Sequence, residues 1–178
     1  MVSALILAGG RASRMGGAAK HELVVGGETI FARQCAVLAP RVVEIIVSGP
    51  AVAGYRSVAD AAGTGPLAGV AAGLAACATP WLLVVAGDMP DLTGALIDRM
   101  LAARDGEAVG ITHAGRPEPL LCVLRVDAAL PAVIALLADR RYKASGLLER
   151  LRVTWLDEPD ARVLRNVNAP EDLTSGSG

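Results

Sequence analysis

Apolar residues in this chain fall into short blocks separated by polar, glycine-bearing or proline-bearing breaks. Leu5-Ile6-Leu7-Ala8 is too short for a core helix and reads as a buried strand. Residues 30–38 carry apolar positions at Ile30, Phe31, Val37 and Leu38 and are stopped by Pro40, which predicts a helix. A strand is expected over 42–47, closed by Ser48-Gly49-Pro50, and a helix of small residues from 67 to about 78. Trp81–Ala86 predicts another strand. Residues 92–103, with Leu92, Leu96, Ile97, Met100 and Leu101 on one face, predict an amphipathic helix for which Asp91 is the candidate N-cap. Residues 109–111 and 120–124 read as strands, and 128–138 as a helix with Pro131 in its first turns.

Strands alternating with helices imply βαβ units, hence an α/β fold with a mainly parallel sheet covered on both faces. No repeat or composition break divides the chain, so one domain is expected over residues 1–173, with 174–178 a flexible tail or expression scar. In such sheets ligands sit beyond the carboxyl ends of the strands, near the point where strand order reverses. That directs attention to the residues after Ala8, Val47 and Ala86.

Composition narrows the classes. Of 178 residues 53% are hydrophobic and 3% aromatic, and the formal charge is −1. A near-neutral balance with few aromatics argues against nucleic-acid and membrane-surface binding. The 27 uncharged residues 61–87 are broken by glycines and prolines, so they read as two buried elements and not a membrane span. The first residues lack the charged flank and the length of a signal peptide. Cys35, Cys77 and Cys122 are far apart with no C-x-x-C pair, which fits buried thiols in a reducing cytoplasm.

Three places carry chemistry. Gly9-Gly10-Arg11-Ala12-Ser13-Arg14-Met15-Gly16-Gly17-Ala18-Ala19-Lys20 follows the first strand, with glycines that let backbone N–H groups approach an anion. Arg14 can fork onto two phosphate oxygens and Lys20 can act as a point charge. Gly87-Asp88-Met89-Pro90 follows the strand Trp81–Ala86, where a carboxylate is well placed to hold Mg²⁺. Asp60 and Thr64-Gly65-Pro66 form a third point, at a helix N-terminus suited to an anion or a polar ligand edge. A polyphosphate loop with a carboxylate metal point suits an Mg²⁺-bound nucleoside triphosphate and phosphoryl or nucleotidyl transfer.

The string L-A-G-G-x-x-x-R-M-G-x-x-x-K, then G-P-L-A-G, G-D-M-P, Arg116-Pro117-Glu118-Pro119-Leu120 and Asn166-Val167-Asn168-Ala169-Pro170-Glu171-Asp172-Leu173, resembles the molybdenum cofactor guanylyltransferases, the MobA-type proteins. The resemblance spans about residues 5–173. It implies a Rossmann-like three-layer α/β/α fold of the nucleotide-diphospho-sugar-transferase kind, and transfer of GMP from GTP to molybdopterin with release of pyrophosphate. It further implies that Leu7, Ala8, Gly9, Gly10, Ser48, Asp60 and Gly65 line the nucleotide site. Arg14, Lys20 and Asp88 would be catalytic, with Mg²⁺ on Asp88, and Asn166 and Asn168 would lie on the pterin side. Cofactor-delivery proteins or apo-molybdoenzymes would be partners. The family often has Asp before the lysine and Asn after the second strand, where this chain has Ala19 and Ser48. Those departures leave other readings open: a molybdopterin cytidylyltransferase, a cobamide or sugar-phosphate guanylyltransferase, or a catalytically silent nucleotide-binding module.

Overall fold

The structure, a computed structural model, describes residues 1–9, 22–59 and 65–167. β1 (Val2–Leu7) is buried at every position, as a strand covered on both faces must be. A small hairpin of β2 (Val24–Val25) and β3 (Glu28–Thr29) leads into α1 (Ile30–Leu38), whose first turn is capped by the Thr29 hydroxyl accepting from the Ala32 N–H. Then come β4 (Ile45–Ser48), β5 (Arg56–Val58), α2 (Pro66–Ala76), β6 (Trp81–Ala86) and α3 (Gly94–Ala102). β7 (Ala108–His113), β8 (Arg116–Arg125), α4 (Val126–Ala138), the short α5 (Ser145–Leu148), β9 (Val153–Asp157) and a 3-10 turn over Ala161–Leu164 complete the described chain.

The main sheet has the order β5-β4-β1-β6-β8-β7-β9. β1, β4, β5 and β6 run parallel, β8 lies antiparallel to both its neighbours, and β9 is parallel to β7. The chain leaves β1 to build one flank and returns through α2 to build the other, so strand order reverses at β1. Two apolar layers sandwich the sheet. On one face Leu38 of α1 and Leu96, Ile97 and Met100 of α3 pack against Ile6, Leu83 and Val85. On the other, Leu67 and Leu74 of α2, Val133 and Leu136 of α4 and Leu147 of α5 cover Leu5, Val84 and Leu124. The result is the expected three-layer α/β/α architecture, with one antiparallel strand inside the mainly parallel sheet.

α2 lies unusually close to the sheet. A methyl group on Gly73 would stand 2.4 Å from Leu5 Cδ2, on a leucine that is itself fully buried. The uncharged stretch therefore resolves, in its described part, into a buried helix and a buried strand, and among the described residues no helix is long and apolar enough to cross a membrane.

Three local expectations are corrected. α3 begins at Gly94, and its cap is Thr93, whose hydroxyl accepts from the Leu96 N–H. Asp91 stands too early to reach those first donors, and its carboxylate is drawn instead to two arginines. α4 starts at Val126, before position 128, so Pro131 falls inside the helix and not in its first turn. β4 starts at Ile45 and not 42, because Val43 is exposed and outside the paired register.

Candidate active site

The ends of three parallel strands meet at the reversal point. Leu7 is paired with Ser48 on one side and with Ala86 on the other. Beyond them the Gly9 N–H donates to the Ser48 carbonyl at 2.9 Å and the Gly87 N–H to the Leu7 carbonyl at 3.1 Å. A methyl group on Gly87 would lie 2.6 Å from the Leu7 carbonyl oxygen, so only glycine lets the turn after β6 approach β1 this closely. Leu7 and Ala8 are buried, and Gly9 is exposed at this rim.

The turn after β6 is held from several sides. Buried Gln34 of α1 donates through Nε2 to the Ala86 carbonyl at 2.7 Å and to the Met89 carbonyl at 3.0 Å. The Val167 N–H donates to the Asp88 carbonyl at 2.8 Å, which lays the Asn166-Val167 stretch alongside. Asp88 is half-buried, with Oδ1 shielded from solvent.

The opposite wall is β8. Its antiparallel register pairs Leu121 with Val85. Beyond that pair β8 is irregular, its register with β7 jumping from Cys122 to Glu118, and Glu118 comes close enough for the charge of Asp88 to act on it. Burial pushes the Glu118 carboxyl above the usual glutamate range, and the charge of Asp88 pushes it in the same direction. Among the described residues no group of three or more His, Cys, Asp or Glu side chains forms a metal cage.

On the other side of the rim, Ser48 is buried at 1% exposure, and its hydroxyl has no hydrogen-bond partner among the described residues. It lies under Gly69 of α2, where a methyl group would stand 2.5 Å from Ser48 Oγ. Gly65, at φ +70°, turns the chain into Pro66 at the first position of α2. The Tyr142 carbonyl comes to 4.0 Å from where a Gly65 Cβ would be, so the 139–145 connection borders this helix N-terminus. That connection lines a half-open pocket of about 520 Å³, bordered by Arg140, Arg141, Tyr142, Lys143, Ser145 and Glu149.

A family model described as the MobA-like NTP transferase domain matches residues 4–155. The chain belongs to this family. A "Probable molybdenum cofactor guanylyltransferase" from Chloroflexus aggregans is 34% identical, over 97% of this chain and 92% of that protein. The crystal structure of molybdopterin-guanine dinucleotide biosynthesis protein A from Archaeoglobus fulgidus superposes with a TM-score of 0.79 at 21% identity, covering 97% of this chain and 95% of that one. The 2-C-methyl-D-erythritol 4-phosphate cytidylyltransferase from Thermus thermophilus gives a TM-score of 0.74 at 22% identity, covering 97% and 95%. The α/β nucleotidyltransferase fold is thus common to proteins named for different bases and acceptors.

Of the residues expected to form the site of this MobA-like domain, Leu7, Ala8, Gly9, Ser48, Gly65, Asp88 and Asn166 stand around the strand ends and the segments bonded to them. Gly10, Arg14, Lys20, Asp60 and Asn168 lie outside the described residues. Asn166 is half-buried and donates through Nδ2 to the Leu164 carbonyl at 3.3 Å. Two features escaped the sequence reading. Glu118 sits in the Arg116–Leu120 motif, yet only the folding of β8 beside β6 brings it within reach of the charge of Asp88. The Arg140-Arg141-Tyr142-Lys143 run was legible as a cluster of positive charge, but its place beside α2 depends on α4 running back across the sheet.

Proposed function

We propose that this MobA-like protein transfers GMP from GTP to molybdopterin, releasing pyrophosphate. The observation that carries the reading is Asp88 held at the reversal point: its turn is bonded to β1, and Glu118 is near enough to feel its charge. The names of the full-length relatives support the choice of donor and acceptor.

The residues fit Mg²⁺. That ion is commonly held by one or two protein carboxylates together with substrate phosphates, and Asp88 with Glu118 nearby is such a set. Mg²⁺ held there would neutralise charge on the triphosphate. The backbone at Gly9 and Gly10 would cradle the phosphates, while Arg14 and Lys20 stabilise the charge that develops on them. Gly65 and Asp60 would bound the nucleoside end, while Ser48, its hydroxyl buried under Gly69, would support the rim only through its carbonyl, which accepts from the Gly9 N–H. A phosphate oxygen of the acceptor attacks the α-phosphorus in line; the new P–O bond forms as the α–β bridge breaks, and pyrophosphate carries away the electron pair. The acceptor would lie on the side of Asn166 and Asn168, beside the Asp88 turn to which the Val167 N–H is bonded. The reaction belongs in a reducing cytoplasm, in keeping with the free thiols of Cys35, Cys77 and Cys122, and its product would pass to delivery proteins or apo-molybdoenzymes.

One observation favours a second reading. A cytidylyltransferase shares the whole fold, which suits a transferase for another nucleotide, and the Ser48 hydroxyl, shielded under α2, supplies no group to read the base. For the main reading, Asp88→Ala should bring turnover to background with a melting temperature close to wild type. Near-normal turnover in a folded Asp88→Ala protein would contradict it. Lys20→Ala should raise the barrier by about 2–4 kcal/mol, read from kcat; a loss below tenfold would remove Lys20 from the reacting phosphates.

A further inference from the structure

We infer that Asp91 is a positioning residue, whose pairing with Arg165 and Arg33 locks three separate segments of the site into one geometry. The inference rests on the reading of Asp88 as the metal-holding carboxylate. Asp91 follows Asp88 by three residues on the same turn. Its Oδ2 accepts from Arg165 Nε at 2.6 Å, and its Oδ1 lies 3.6 Å from Arg33 NH2. The three side chains are only 17–32% exposed, so water screens this cluster less than an ordinary surface pair.

Each arginine ties in a different segment. Arg165 immediately precedes Asn166, and two residues on the Val167 N–H reaches the Asp88 carbonyl. A side-chain bond and a main-chain bond therefore join the same two stretches, one carrying Asp88 and the other Asn166. Arg33 donates from Nε to the Pro90 carbonyl at 2.9 Å and from NH1 to the Val25 carbonyl at 3.4 Å. Val25 belongs to the hairpin where the chain re-emerges after the glycine-rich stretch that contains Lys20. One carboxylate thus links the metal turn, the acceptor-side segment and the return of the phosphate loop.

Simple structural glue would have been satisfied by a helix cap at this position, but Thr93 performs that task. The Asp91 carboxylate is committed to the turn's lateral placement. Its loss should let the Asp88 turn shift against Asn166 without exposing core, since the nearest buried side chains, Met89 and Leu92, are held by the apolar layer.

The test uses the full chain and Mn²⁺ with GTP, followed by the Mn²⁺ resonance, for wild type, Asp91→Ala, Asp91→Asn and Arg165→Leu. Asp91→Ala and Arg165→Leu should bind Mn²⁺ about 10–100-fold more weakly, as for lost residues that orient metal ligands. Their melting temperatures should stay near wild type. Asp91→Asn, which keeps an acceptor oxygen, should recover most of the affinity, and the double variant should lose no more than either single one. Unchanged Mn²⁺ affinity in Asp91→Ala, additive losses, or losses in Asp91→Asn as large as in Asp91→Ala would overturn the inference. Should Asp91→Ala fail to fold, Arg165→Leu and Asp91→Asn decide the same question. A wild type that binds Mn²⁺ and GTP but makes no guanine dinucleotide refutes the proposed reaction while leaving the Asp91 result readable. A wild type that binds no Mn²⁺ with GTP overturns both.

Discussion

Glu118 is the residue whose chemistry is most altered by where the fold puts it. Burial first, and then the charge of Asp88, raise its pKa above the usual glutamate range. An acid with a higher pKa in the folded than in the unfolded chain holds its proton more tightly when folded. Stability therefore falls as pH rises from the ordinary glutamate range through the raised value, and the whole cost is present above it. Glu118→Gln removes that cost, so without metal it should melt above wild type at mildly alkaline pH and converge with it in acid, where both side chains are neutral. Thermal melts across pH check this; a variant that melts lower at every pH would show that the ionised carboxylate is stabilised in place. Glu118 was within reach of sequence reasoning as part of R-P-E-P-L, but its role was not. Its nearness to Asp88 comes from the packing of β8 beside β6, a non-local pairing that no motif encodes. Asp88 itself was legible, because a carboxylate right after a buried strand has few other places to be.

At the level of elements, α2 shows how small residues set the distance between a layer and the sheet. Gly73→Ala adds a methyl group against fully buried Leu5, and overpacking of about 1–3 kcal/mol opposes the roughly 1 kcal/mol that alanine gains over glycine inside a helix. The variant should be less stable than wild type in urea unfolding. In a Leu5→Ala background, where the space is open, the same substitution should become stabilising; a loss of stability in both backgrounds would place the conflict elsewhere. The same balance of local and distant forces decided which elements could be read in advance. α1 and β6 match their expected bounds, since Pro40 and the dense apolar run leave no alternative. β5 and β9 were missed: they are short edge strands with exposed positions such as Trp155 at 43%, so neither shows a buried run. The cap of α3 was misassigned because Asp91 and Thr93 are both good caps by residue type. Only the arginines from α1 and from the end of the described chain reveal which of the two is otherwise engaged.

For the whole molecule, the near-neutral charge conceals a division of labour around one edge of the sheet. Carboxylates of Asp88 and Glu118 occupy the middle of that edge, at the ends of β6 and β8. The cations of Arg140, Arg141 and Lys143 gather beside the N-terminus of α2, and the second cationic group, Arg11, Arg14 and Lys20, belongs to the stretch that leaves β1. The uncharged run between Asp60 and Asp88 supplies the helix and strand between these groups, so its lack of charge is the signature of burial. The architecture was legible because alternating strands and helices admit few arrangements, and strand order then fixes where a ligand binds. Base choice is not set by that architecture, since a cytidylyltransferase shares it. The measurement that reaches the central claim most directly is competition: the protein, Mg²⁺ and molybdopterin are mixed with equal GTP, CTP and ATP, and the dinucleotide products and pyrophosphate are counted. The account predicts one pyrophosphate per dinucleotide formed and guanine as the dominant base. Equal incorporation of the bases, or no pyrophosphate release in the presence of molybdopterin, would contradict it.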